Sequence, residues 1–138
     1  MKTNLYKLCS VALLCAALQA QGQTISTFAG NHAIGAGYSG DGGPATAGEL
    51  NKPKSVALDN AGNVYIADNF NNAIRMVNTS GTMSTIAGLP AGGYGGDGGP
   101  ATTALFDRPN YVWVDGSNNI YVVDANNQRV RMINGAGI

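Results

Sequence analysis

One feature constrains this chain more than any other: it repeats itself. Displaced by 56 positions, Tyr38 falls on Tyr94, and Gly40 to Thr46 (GDGGPAT) falls on Gly96 to Thr102 (GDGGPAT). The register continues through Pro53 with Pro109, Val56 with Val112, Asp59 with Asp115, Tyr65 with Tyr121 and Asp68 with Asp124. It ends on Asn71 with Asn127 and Arg75-Met76 with Arg131-Met132. Nineteen of 45 positions are identical between 38–82 and 94–138, so the two stretches must fold alike. A shorter echo precedes them. Thr24 to Gly30 (TISTFAG) matches Thr82 to Gly88 (TMSTIAG) at five of seven positions, offset by 58. The two-residue difference falls in the glycine-rich stretch between Gly30 and Tyr38, where a loop absorbs it. A repeat of this length is one supersecondary unit that cannot bury its own apolar faces, so copies must stack.

Within each copy, short apolar runs alternate with Asn/Asp/Gly clusters. That is the signature of an antiparallel meander. Strands are expected over Ser55–Leu58, Val64–Ala67, Ala73–Val77 and Met83–Ala87, then over Tyr111–Val114, Ile120–Val123 and Val130–Ile133. No long stretch has helical periodicity. Pro44 to Leu50 can make a single helical turn with Pro44 at its start.

These residues carry a resemblance. Pro-x-x-Val-x-x-Asp-x-x-Gly-Asn-x-Tyr-x-x-Asp-x-x-Asn-x-x-Ile-Arg, from Pro53 to Arg75, resembles the NHL repeat. The preceding Tyr-Ser-Gly-Asp-Gly-Gly-Pro-Ala-Thr, from Tyr38, is similar to the longer-loop variety of secreted bacterial and teneurin-like NHL propellers. Both copies carry the pattern, which covers 24–138; the second departs at Asn118, where the first has the turn glycine Gly62. The resemblance implies an all-β fold: four-stranded antiparallel blades, strand a innermost and d at the rim, usually six to a propeller. On that plan Ile25–Ala29 is an outer d strand, repeat 1 spans about 38–88 and repeat 2 about 94–138. The strand count is d, abcd, abc, or two blade equivalents of an incomplete six-bladed propeller. Ile138 aligns with Thr82, where a last d strand would begin. The chain is then either part of a longer propeller or one of several copies in a ring. Three copies would supply six blades, with Ile25–Ala29 of one pairing with Val130–Ile133 of the next.

The first 22 residues read separately. Lys2 and Lys7 precede an apolar run from Leu8 to Leu18, and small residues follow at Ala20 and Gly22, the order of a secretory signal peptide. The run is too short to span a bilayer, which takes about 20 apolar residues. A secreted or periplasmic mature chain, 23–138, with no membrane association is expected. Both cysteines, Cys9 and Cys15, lie in the leader, so thiol and disulfide chemistry is not expected afterwards. Without Lys2 and Lys7, six Lys and Arg face eight Asp and Glu, a net charge of −2. Phosphate backbones are gripped by basic stripes, so nucleic acid is not an expected partner.

The sequence offers no catalytic constellation, metal set or cofactor motif. Gly35 to Gly40 and Gly93 to Gly98 fit G-x-G-x-x-G, but neither sits between a strand and a helix of a parallel unit. Gly92 to Asp97 opens like a calcium-binding nonapeptide, and the pattern then fails at Gly99. His32 is the single histidine and stands in a loop. Asp59, Asp68, Asp115 and Asp124 each precede a turn and are expected to bond the backbone two residues on. Asp41 and Asp97 are expected to cap their loops, and Arg75 and Arg131 to pair with an aspartate of the same or the adjacent blade. Tyr38, Asp41, Tyr94, Asp97 and Trp113 are the residues a ligand-facing surface would draw on, but Trp113, in place of Ala57 on an inner strand, is expected to fill core space rather than line such a surface. The expected role is a non-catalytic module binding a protein or carbohydrate. The alternatives are a piece of a lactonase- or lyase-like propeller enzyme and a truncated product without independent function.

Overall fold

The computed structural model describes residues 23–135 and 137. The leader expected over 1–22 lies outside them. Strands β1 (Pro53–Leu58), β2 (Val64–Asp68), β3 (Ala73–Val77) and β4 (Met83–Ala87) form a four-stranded sheet in that order. Strands β5 (Pro109–Val114), β6 (Ile120–Asp124) and β7 (Arg129–Ile133) form a three-stranded one. Every neighbouring pair is antiparallel. The fold is all-β, two propeller blades in sequence.

Each blade is closed locally by an aspartate. Asp59 Oδ1 accepts from the N–H groups of Ala61 (2.9 Å) and Asn63 (2.8 Å), which turns β1 into β2. Asp115 does the same with Ser117 and Asn119, both at 2.8 Å. The Tyr65 hydroxyl then donates to Asp59 Oδ2 at 3.0 Å. Burial, with that bond and the carboxylate's charge, pushes the Tyr65 pKa up to about 12.

The inner strands begin earlier than their apolar runs. Pro53 pairs with Asp68 and Pro109 with Asp124, and the register shifts before Val56 and Tyr111. Proline has no N–H to lose at a strand's first position. After Pro44 and Pro100 the chain makes one 3-10 turn, Ala45–Ala47 and Ala101–Thr103. The single helical turn expected from Pro44 is therefore present, in both repeats and of the tighter kind.

Alternation along the strands decides what each face meets. Tyr65, Ala67, Ile74 and Ala87 of the first blade pack with Val112, Ile120, Val122 and Ile133 of the second, and Phe106 from the second repeat's loop completes this core. Val112 N–H donates to Ser55 Oγ at 2.8 Å, which ties the two inner strands together. On its other face the first blade buries Ile66, Val77 and Met83 beneath Ala45, Leu50 and Ala29. Between β4 and the second repeat's loop the backbone turns at Gly88 (φ +92°), where an added Cβ would lie 2.3 Å from the Asn72 carbonyl oxygen.

The outer strand expected over 24–30 is not formed within the chain. Ile25 is fully exposed and Phe28 is 57% exposed. A strand needs an edge to pair with, and the d position of the adjoining blade already belongs to β4. Among the described residues no helix is long and apolar enough to cross a membrane.

Candidate functional site

Arg75 organises the first repeat. Its position on β3 opposite Ile66 sends the side chain to the face covered by the loop 38–50, where it is fully buried. Nη1 donates to Asp68 Oδ2 (3.3 Å) and the Glu49 carbonyl (3.2 Å), and Nη2 to Asp41 Oδ1 (2.8 Å) and the Ser39 carbonyl (2.9 Å). Nε alone is buried without a hydrogen-bond partner. The guanidinium lies 5.0 Å from the Tyr38 ring centroid, and the Tyr38 hydroxyl donates to Thr85 Oγ1 at 3.0 Å. Arg131 repeats the device with the Leu105 and Gly95 carbonyls, Asp97 and Asp124. Tyr94 donates to Asp97 Oδ2 at 2.9 Å, and Arg129 stacks on the Tyr94 ring at 4.3 Å.

Two expectations are corrected by this geometry. Asp41 and Asp97 do not cap their own loops; each holds its loop to the third strand through an arginine. Asp68 and Asp124 do not bond the backbone two residues on. Both are fully buried and accept from N–H groups 17 residues back: Asn51 N–H bonds Asp68 at 2.7 Å and Asp107 N–H bonds Asp124 at 2.8 Å. Burial pushes the Asp68 pKa up, against the donors Asn51, Asn71 and Arg75. Hydrogen bonds from Tyr94 and Arg131 hold Asp97 below the usual carboxylate range. The pairing expected of Arg75 and Arg131 is present, each with one aspartate of its own strands and one of its own loop.

Trp113 does not fill the core. It is 53% exposed on the far face of the second blade, its ring 5.5 Å from that of Tyr121. Thus Tyr38 joins Asp41 around Arg75, Tyr94 joins Asp97 around Arg131, and Trp113 stands apart from both.

A different set of residues builds a cleft that sequence reasoning missed. A cavity of about 360 Å³ is lined by Lys54, Asn69, Phe70, Arg108, Asn110 and Asn126. The 3-10 turn Asn69–Asn71 after β2 carries Phe70 to its wall. Lys52 and Arg108 occupy equivalent repeat positions, both left-handed (φ 51° and 57°), and both approach the Phe70 ring. The Arg108 guanidinium lies 3.6 Å and the Lys52 ammonium 4.1 Å from its centroid. Asn72 Oδ1 accepts from Arg108 N–H at 3.0 Å and fixes that approach. Asn69 Nδ2 donates to the Pro109 carbonyl at 3.0 Å and spans the two blades. Lys52, Lys54 and Arg108 are three of the six Lys and Arg residues within 23–138. No carboxylate lines the cleft; the nearby Asp107 accepts from Asn126 Nδ2 at 3.0 Å. Lys54 and Phe70 break the repeat, since Asn110 and Asn126 replace them in the second copy. A departure from the repeat was the available signal. Such a concavity, with an aromatic wall, amides and fixed cations, can hold a hydroxyl-rich, negatively charged molecule. Among the described residues no group of three or more His, Cys, Asp or Glu is placed to hold a metal ion.

Residues 16–92 match the model of the teneurin NHL domain. Human teneurin-4 is 33% identical over 97 residues, and chicken teneurin-1 is 30% identical over the same length. Each match covers 61% of this chain and 4% of the relative, so the chain spans a small fraction of those proteins. Among solved structures, an auxiliary nutrient binding protein of Bacteroides ovatus superposes with a TM-score of 0.53 at 22% identity, over 70% of this chain and 26% of that one. A Bacteroides thetaiotaomicron protein named as a candidate phosphatase superposes at 0.60, also at 22% identity, over 78% and 26%. These likenesses establish the fold.

Proposed function

The chain belongs to the teneurin NHL family of β-propellers, and from that premise we propose that it is a non-catalytic, extracytoplasmic binding module whose ligand is an acidic oligosaccharide. The observation that carries this reading is the cleft beside Phe70. Two cations, Lys54 and Arg108, line it without a carboxylate, a third, Lys52, lies over the Phe70 ring, and Asn69, Asn110 and Asn126 supply amides of the kind that orient hydroxyl groups. The repeated charges, Asp41, Asp68 and Arg75 with their second-copy counterparts, are engaged in holding loop to blade. The leader expected at 1–22 and the binding role named for the Bacteroides ovatus neighbour accord with a module outside the cytoplasm.

Calorimetric titration tests the reading. An oligogalacturonate, whose sugars carry carboxylates, is expected to bind, and a neutral oligosaccharide of equal length to bind at least tenfold more weakly. Lys54→Ala and Phe70→Ala should each weaken the acidic ligand about tenfold, the equivalent of about 1.4 kcal/mol. Both side chains are exposed, so neither change threatens the fold. Equal binding of the two sugars, or an affinity indifferent to both substitutions, would contradict it.

A further inference from the structure

We infer that Arg108 is the residue that grips the ligand's acidic group, a carboxylate taken edge-on by a guanidinium that Phe70 holds flat. This rests on the reading of the cleft as an acidic-oligosaccharide site, and adds to it the recognising residue and its geometry.

Arg108 differs from the arginines that build the blades. Arg75 and Arg131 direct their N–H groups at carbonyls and carboxylates of their own loops. The chain's ion pairs among the described residues belong to those two. Arg108 is half-buried in the cleft wall, and only its backbone N–H has a protein acceptor; among the described residues nothing accepts from its guanidinium. What holds the side chain is the Phe70 ring, 3.6 Å away. At that distance a guanidinium fits flat against the ring, because an edge-on approach would press its N–H groups into the ring carbons. Lying flat, it points its N–H groups parallel to the ring and past its rim. Two neighbouring N–H groups in one plane match the two oxygens of a carboxylate. An aromatic ring is suited to this task, since it fixes the cation without occupying a donor.

The backbone at 108 is held where an arginine is costly. Asp107 is fixed on one side: its N–H donates to Asp124 at 2.8 Å, and its carbonyl accepts from Asn126 N–H at 3.1 Å. Pro109 is paired with Asp124 on the other. Residue 108 closes the step between them at φ +57°, a region in which a Cβ crowds the following carbonyl. Elsewhere the chain meets this need mostly with glycine. Twelve described glycines have positive φ, and Asn72 and Asn118 are asparagines, which tolerate it better than long side chains do. Asn72 removes the freedom that remains. Its Oδ1 accepts from Arg108 N–H at 3.0 Å, and its Nδ2 donates to the Pro90 carbonyl at 3.1 Å. A locked, strained backbone that carries a stacked side chain with free donors is a preorganised recognition element. Lys52 has the equivalent position and the same hand (φ +51°), with its ammonium 4.1 Å from the ring. It adds charge but has no fork.

Calorimetric titration of wild type, Lys54→Ala and Arg108→Lys with an oligogalacturonate and with its methyl ester tests this. Arg108→Lys keeps the charge and the left-handed side chain and loses the fork. It should bind the acid at least about tenfold more weakly than wild type does, and bind the ester equally. Arg108→Gly should also lose the acid, while its urea midpoint stays at or above that of wild type, because glycine relieves the backbone. Undiminished binding of the acid by Arg108→Lys, or a clear fall in the midpoint of Arg108→Gly, would overturn the inference. If Lys54→Ala weakens the acid and Arg108→Lys does not, the cleft reading stands and Arg108 is not its carboxylate grip. A wild type that binds no oligogalacturonate would overturn both.

Discussion

Arg75 and Arg131 show how much one residue can hold when its charge is buried. Each joins a strand, a loop and two carboxylates, yet the carboxylates differ in worth. Asp68 is fully buried beside Arg75, whereas the Asp41 side chain is 48% exposed. Removing one partner of a buried pair leaves an uncompensated charge and costs about 3–5 kcal/mol, whereas exposed pairs contribute about 0–1. Arg75→Met is therefore expected to lower the urea midpoint severely, and Asp41→Asn to move it little. Equal effects would mean that the buried pair is not what closes the blade. The arginines and aspartates were legible as repeated charges; which aspartate paired with which was not. Asp59 and Asp68 look alike to a local rule, since both precede Asn-rich turns. Face parity separates them: Asp68 lies two residues beyond Ile66, on the face Arg75 occupies, and Asp59 lies past the end of β1.

Strands and turns were legible to the extent that they are local. The third strand of the first blade and β4 coincide with their apolar runs, because alternation and flanking turns alone define them. The inner strands start two residues earlier than expected, at prolines whose pairing depends on a register shift that no apolar pattern announces. The outer strand at 24–30 was recognised by its likeness to β4, but pairing is a property of two strands, and its own blade offers no edge. The cleft was missed for a related reason. Repetition drew attention to residues that recur, while Lys54 and Phe70 matter where the copies differ. Backbone geometry adds a further expectation at this scale. Gly81 and Gly88 both have positive φ, but a Cβ at Gly81 meets nothing within 4 Å, whereas at Gly88 it meets the Asn72 carbonyl. Gly81→Ala should cost only the strain of the conformation, about 1–3 kcal/mol. Gly88→Ala should cost more, because the turn between the blades must also move. Chemical denaturation of the two variants measures the difference, and equal losses would contradict a close approach at Gly88.

For the whole molecule, the central claim is that the two repeats form blades packed face on face, with the second repeat's Arg-centred loop between them. Phe106, from that loop, is 1% exposed in the core the two blades share. The most direct measurement is urea denaturation of Phe106→Ala. A loss of about 3–5 kcal/mol in a single cooperative transition is expected. A loss under about 1 kcal/mol, or separate transitions for the two blades, would contradict the account.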